Sequence, residues 1–195
     1  MKLILASNSP RRQELLRGLD LDFEVRVLDG IDESYPESLP LEEVAEYIAG
    51  KKADAYLATL KDDELVITAD TIVVCDGEVM GKPRDRADAQ RMLRHLSGKT
   101  HQVITGVCLV SIAHRRSFSV KTDVTFADLT SEEIDYYIDH YKPFDKAGAY
   151  GIQEWIGYVG VKELRGSYFN VVGFPVQRVY GELRSQLGES RLRRG

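Results

Sequence analysis

Cysteine is scarce in this chain: Cys75 and Cys108 are the only two among 195 residues, and each lies inside an apolar, strand-like run. No CxxC pair and no cysteine–histidine cluster is visible, and His95, His101, His114 and His140 show no metal-ligand spacing. Structural zinc is therefore not expected, and both thiols read as buried free cysteines of a reducing compartment. An excess of positive charge is also missing: the net charge is −5 and the pI about 5.5. That balance argues against a general polyanion binder, so any phosphate binding must come from locally placed cations. A small phosphorylated ligand fits this better than DNA or RNA. No apolar run approaches the ~20 residues of a membrane helix, and Leu3 to Ala6 is too short for a signal-peptide core. A cytoplasmic protein is expected. Repeats, low-complexity tracts, linkers, GxxxxGK[ST], GxGxxG and GxSxG are all absent, which removes the P-loop, Rossmann and nucleophile-elbow readings.

What is present is an ordinary globular composition, 43% hydrophobic and 29% charged, long enough for one domain with a sizeable core. We read residues 1–187 as that domain and 188–195 as a charged, disordered tail. Lys2 to Ala6 is a short strand that stops at Ser7-Asn8-Ser9, and Pro10 opens a helix running from Arg11 to Leu19. Phe23 to Leu28 is a second strand. Asp29 to Pro40 is an acidic loop carrying Asp29, Asp32, Glu33 and Glu37. Leu41 to Leu60 has a helical period, weakened by Gly50, and Leu65 to Ala69 is a central strand ending at Asp70-Thr71. Asp76-Gly77 is the strongest short hairpin signal, between Ile72–Cys75 and Glu78–Met80. A helix over Asp85 to Leu96 precedes two long strands, Thr100 to Ile112 and Phe118 to Ala127. Thr130 to Glu133 is a capping box before the helix Ile134 to Tyr141. Residues 143–160 read as an ordered loop-and-strand segment, Val161 to Leu164 as a strand and Pro175 to Leu187 as a closing helix. The mixture indicates an α/β domain around a mixed sheet.

Several residues are candidates for chemistry, and each also has a plain structural reading. Ser7, Ser9, Arg11 and Arg12 at a helix N-terminus make an anion cradle suited to phosphate, but Ser9 is equally a simple N-cap. Asp70 ends a buried strand, where ligand crevices form, yet it is also a suitable turn residue before the hairpin. Glu33 and the other loop carboxylates offer a second set of hard oxygen donors for a divalent cation. Lys52 and Lys82 supply isolated positive charge, or else a solvated helix face and a polar turn. Metal-assisted phosphoryl chemistry needs this combination of oxygen ligands, cations and a carboxylate that orients or deprotonates water. Thr68, Thr71 and Thr105 have hydroxyls for phosphate or base, or simply β-propensity. The segment Asp145-Lys146-Ala147-Gly148-Ala149-Tyr150-Gly151-Ile152-Gln153 is either a tight structural bend or a surface a flat ligand approaches, with the Gln153 amide suited to a pyrimidine edge.

Taken in order, Ser7-Asn8-Ser9-Pro10-Arg11-Arg12, Glu33, Ala69-Asp70-Thr71, Gly81-Lys82-Pro83 and Asp145 to Gln153 resemble the signature of the Maf family of nucleoside triphosphate pyrophosphatases over essentially the whole chain. The resemblance implies an elongated inosine-triphosphatase-like α/β fold with a cleft between two lobes. It implies hydrolysis of a nucleoside triphosphate to monophosphate and pyrophosphate with Mg2+ or Mn2+. Asp70 matches the family's proton acceptor. Ser9, Arg11, Arg12, Glu33, Lys52 and Lys82 match its phosphate- and metal-handling positions, with Glu33 and Asp70 as the metal pair and Ser7 beside the phosphates. Arg12, Thr71 and Gln153 resemble the trio of the subgroup acting on dTTP and UTP. The partner expected is a small nucleotide and, at most, a second copy of the chain in a homodimer, without nucleic acid or membrane. A different nucleotide specificity, including modified pyrimidine triphosphates, and a nucleotide-binding regulator of cell division with little turnover are the alternatives.

Overall fold

The computed structural model describes residues 1–188. The tail expected over 188–195 lies, apart from Gly188, outside the described residues. The sheet has seven strands: β1 (Lys2–Leu5), β2 (Phe23–Val25), β3 (Glu64–Cys75), β4 (Glu78–Met80), β5 (Thr100–Val110), β6 (Arg115–Phe126) and β7 (Val161–Arg165). Their order is β2-β1-β3-β5-β6-β7, with β4 also on β3. β1 pairs parallel to both β2 and β3, whereas β3–β4 and β6–β7 are antiparallel, so the sheet is mixed. The described residues divide into two compact units, 1–70 with 105–120 and 173–188, and 71–104 with 121–172.

In the first unit the apolar runs bury both faces by simple alternation. Leu3, Leu5, Leu65, Ile67, Val107 and Leu109 point into one cluster, closed by Leu16 of α1 (Pro10–Arg17) and by Val179 and Leu183 of α7 (Val176–Leu187). Ile4, Val66, Cys108 and Val110 point into a second cluster with Ala49 and Ala53 of α2 (Val44–Asp54) and with Tyr56. Truncating one of these leucines to alanine carries a typical cost of about 2–5 kcal/mol. Gly106 permits the close approach of α2, since a Cβ there would lie 2.2 Å from the Ala45 carbonyl carbon. Glu64, only 1% exposed at the start of β3, is accepted because Arg26 reaches its two oxygens at 2.7 and 3.0 Å.

The second unit packs α3 (Arg86–Leu96) and α4 (Ser131–Tyr141) over its own cluster, which includes Val73, Met92, Leu93, Val124, Phe126, Tyr137, Ile138 and Tyr150. Asp85 caps α3 through the Asp88 N–H at 2.8 Å, and the capping box of Thr130 and Glu133 opens α4 as its spacing predicts. Asp76 and Gly77 both have positive φ, 50° and 78°, as a two-residue hairpin turn requires.

The structure departs from the sequence reading in five places. β3 does not end at Asp70-Thr71 but runs through to Cys75, because Thr71 to Cys75 is rich in β-branched residues and finds a partner in β4. The expected strand over Phe23 to Leu28 keeps only Phe23–Val25. The helix over Leu41 to Leu60 contracts to Val44–Asp54, flanked by short turns at Leu41–Glu43 and Leu57–Thr59. Residues 143–160 hold a 3₁₀ turn at Ala147–Ala149 and a short helix, α5 (Trp155–Gly160), in place of a strand, and α6 (Tyr168–Val172) is an additional helix.

Candidate active site

The first unit assembles one charged centre from separate stretches of chain. Leaving β1, the chain turns at Ser7, whose hydroxyl accepts from the Ser9 N–H at 3.2 Å, and Gln13 Nε2 donates to the Ser7 carbonyl. Ser9 caps α1 by accepting from the Arg12 N–H at 3.5 Å, with Pro10 in the first turn. The structural reading of Ser9 is therefore correct, and it also fixes where Arg11 and Arg12 stand. Arg12 donates from Nε to the Gly173 carbonyl at 2.9 Å and from Nη1 to the Ala69 carbonyl at 3.0 Å. The second bond places the guanidinium beside Asp70. Burial lowers the Arg12 pKa from its ordinary value; the Asp70 charge raises it, Arg11 lowers it and Glu33 raises it.

Asp70 sits in mid-strand on β3, where an isolated carboxylate would be costly. Lys52, from the last turn of α2, provides the compensation: its Nζ lies 2.7 Å from Asp70 Oδ1 and 2.9 Å from Glu33 Oε1. The side chains of Lys52 and Asp70 are each 14% exposed, whereas Glu33 is 56% exposed. One ammonium thus holds both carboxylates, although Glu33 and Asp70 are far apart in sequence.

The acidic loop is anchored just before its start and again around Asp32. Tyr56 Oη accepts from the Leu28 N–H at 3.0 Å and donates to the Arg26 carbonyl at 2.9 Å. Lys51 donates to Asp32 Oδ2 and to the Ser34 carbonyl, both at 2.8 Å, while Asp32 accepts from the Ser34 N–H and hydroxyl. These bonds, Lys51 first and Ser34 next, hold the Asp32 carboxyl well below the usual carboxylate range. Sequence reasoning favours Lys52 and passes over Lys51, yet the two neighbours address adjacent positions of one loop. Thr68 belongs to the frame instead: it is fully buried and donates to the Ala49 carbonyl at 2.6 Å.

Of the residues nominated from sequence, the structure links Ser7, Ser9, Arg11, Arg12, Glu33, Lys52 and Asp70 within this unit. Thr71, Lys82 and Gln153 belong to the second unit. There the Gly148 N–H donates to the Gly81 carbonyl at 3.0 Å, joining the turn that carries exposed Lys82 to the segment that carries Gln153. Gly148 has a φ of +68°, and a Cβ on it would approach Val73 Cγ2 to 2.8 Å, so both glycine properties are used. Tyr150 is buried with its hydroxyl 2.7 Å from His101 Nε2. Tyr137 donates to Glu154 and accepts from the Gly151 N–H at 3.0 Å, and Lys146 Nζ lies 3.1 Å from Glu154. Burial, reinforced by Glu154, raises the Tyr137 pKa. Gln153 is set between these anchors, and its side-chain oxygen is buried without a hydrogen-bond partner among the described residues.

The donor set suits a hard divalent cation. Glu33 and Asp70 already converge on one ammonium, so two carboxylates from distant stretches can address a single cation. Arg12 and Lys52 add the positive charge that a polyphosphate requires. No helix among the described residues is long and apolar enough to cross a membrane.

Comparison with known protein families matches residues 2–186 to Maf-like protein. A protein of Phocaeicola vulgatus named dTTP/UTP pyrophosphatase is 64% identical over 94% of this chain and 95% of its own length. One of Parabacteroides distasonis with the same name is 59% identical over the same shares. Among solved structures, the Ham1 protein of Staphylococcus aureus is similar with a TM-score of 0.55 at 16% identity, covering 93% of this chain and 100% of that one. That likeness concerns the fold alone, and it agrees with the inosine-triphosphatase-like architecture. With residues 2–186 matched and relatives this similar over nearly their whole length, the chain belongs to the Maf-like protein family.

Proposed function

We propose that this protein hydrolyses dTTP and UTP between the α and β phosphates, releasing the monophosphate and pyrophosphate. The observation that carries the reading is Lys52 held between Glu33 and Asp70, with Arg12 bonded at Ala69. Glu33 and Asp70 would hold Mg2+ or Mn2+. Such an ion, when bound, neutralises phosphate charge and lowers the pKa of a coordinated water.

The chain's own residues have distinct tasks. The N-terminus of α1, with Ser7, Ser9, Arg11 and Arg12, binds the triphosphate. Asp70 accepts the proton of the attacking water, whose oxygen forms the new bond to the α phosphorus. The bond from that phosphorus to the bridging oxygen breaks, and Lys52 and Lys82 stabilise the charge that grows on the departing pyrophosphate. Binding substrate loosens the Lys52–Asp70 pair as Lys52 turns to phosphate oxygens, which frees the carboxylate for its role as base. Thr71 and Gln153 read the base together with Arg12. The buried, unpartnered Gln153 oxygen supports this assignment, because the N3–H of uracil or thymine is the donor it lacks.

A panel of nucleoside triphosphates assayed for pyrophosphate release in Mg2+ and in Mn2+ tests the proposal. Preferred turnover of dTTP and UTP is expected. Preference for a purine triphosphate would overturn the specificity, and tight nucleotide binding without pyrophosphate release would favour a regulatory protein.

A further inference from the structure

The second unit gathers a set of metal-type ligands that sequence spacing conceals. Cys75 ends β3, Asp76 opens the hairpin turn, and His95 arrives from the last turn of α3. One ligand atom from each lies within 4.8 Å of the other two. A tetrahedral ion with bonds of about 2.0–2.3 Å wants its donors ~3.3–3.6 Å apart, so small side-chain adjustments suffice. His95 Nε2 stands 3.3 Å from Asp76 Oδ2 without the geometry of a hydrogen bond, and that buried nitrogen has no hydrogen-bond partner among the described residues. An orphaned imidazole nitrogen aimed at a carboxylate beside a thiol is an arrangement that a cation completes.

We propose that Cys75 Sγ, the Asp76 carboxylate and His95 Nε2 form a site for a borderline-soft divalent cation of the zinc class, tying the β3–β4 hairpin to the end of α3. Thiolate and imidazole select this class over Mg2+ or Mn2+, which prefer all-oxygen surroundings like Glu33 with Asp70. The C-terminal end of α3 adds a favourable negative potential for a cation. Lys99, whose ammonium lies 2.6 Å from Asp76 Oδ2, is the resident competitor. It is 42% exposed against 56% for Asp76, an exposed pair of the kind that contributes little. Three protein ligands leave one position for water.

Titration of the chelator-stripped full chain with Co2+ alone tests the site by absorption. The expected result is a near-ultraviolet thiolate-to-cobalt band that saturates with one ion at the cysteine site, apart from any Co2+ held by Glu33 and Asp70, and a higher melting temperature. The near-ultraviolet band should vanish in Cys75→Ser and persist in Asp70→Asn. His95→Ala should weaken binding by at least about tenfold, since even outer-shell partners of a metal are worth that much. Absence of a saturable near-ultraviolet band, its survival in Cys75→Ser or its loss in Asp70→Asn would overturn the proposal. His95 is 28% exposed, so its variant is expected to fold even if Cys75→Ser does not, and undiminished affinity in His95→Ala would by itself defeat the site.

Discussion

The side-chain oxygen of Gln153 is buried and unpartnered, a state that costs roughly 1–3 kcal/mol in a folded protein. Under the proposed function, the N3–H of a bound pyrimidine would supply the missing donor. Gln153→Ala should therefore raise KM for dTTP and UTP by about tenfold, the equivalent of ~1.4 kcal/mol, with a smaller change in kcat. Steady-state kinetics on both nucleotides check this, and an unchanged KM would remove Gln153 from base recognition. Lys52 illustrates a different single-residue logic. Removing its charge takes away the one ammonium that both Glu33 and Asp70 touch, so in the free protein Lys52 ties the acidic loop to β3. Lys51 acts by the same charge chemistry on the neighbouring loop residue, Asp32, and so fixes the backbone from which Glu33 projects.

At the level of elements, the segment 145–153 is positioned by its neighbours rather than by its own regular structure. Tyr137 from α4, His101 from β5 and Val73 from β3 each contact it at a different residue. His101 has a measurable consequence. Burial pushes its pKa from the ordinary 6.5 down to about 4. Below pH 6.5 the unfolded chain takes up the proton first, and the folded chain does so only near pH 4. Stability is therefore present above the unfolded value and falls as pH drops towards the folded one, by about 3 kcal/mol over the window. Denaturant midpoints measured between about pH 7 and pH 4 should fall more steeply for the wild type than for His101→Asn, which carries no titrating group there. Parallel profiles would contradict the buried neutral imidazole. Much of the element structure is legible in the chain because local signals agree with it. Pro10 and Ser9 start α1, Asp76-Gly77 closes the hairpin, and Thr130 with Glu133 caps α4. The errors arise where tertiary pairing overrides a local signal. An Asp-Thr pair reads as a strand end, but Lys52 compensates Asp70 and β4 pairs with Val73 to Cys75, so β3 continues. The aromatic, glycine-rich stretch before β7 reads as extended because its helix-compatible pattern is only six residues long.

For the whole molecule, alternation along β1, β3 and β5 explains why continuous apolar runs serve as strands buried on both faces of the first unit. The order of the motifs also carries the family. Residue identities such as Arg12, Asp70 and Gln153 are visible without coordinates. Which of them share a bond is not, because Glu33, Lys52 and Asp70 meet only through folding. The Cys75–Asp76–His95 set is hidden for the same reason: its histidine comes from a separate element and matches no local spacing rule. In the proposed reaction the carboxylate of Asp70, released when Lys52 turns to the phosphates, takes the proton of the water that cleaves the triphosphate. Pyrophosphate release from UTP by Asp70→Asn, measured beside UTP binding by the same variant, tests it most directly. The substitution keeps size and removes charge, so kcat should fall by at least about 100-fold, a larger effect than any weakening of UTP binding through the cation. Turnover near the wild-type rate would contradict the account.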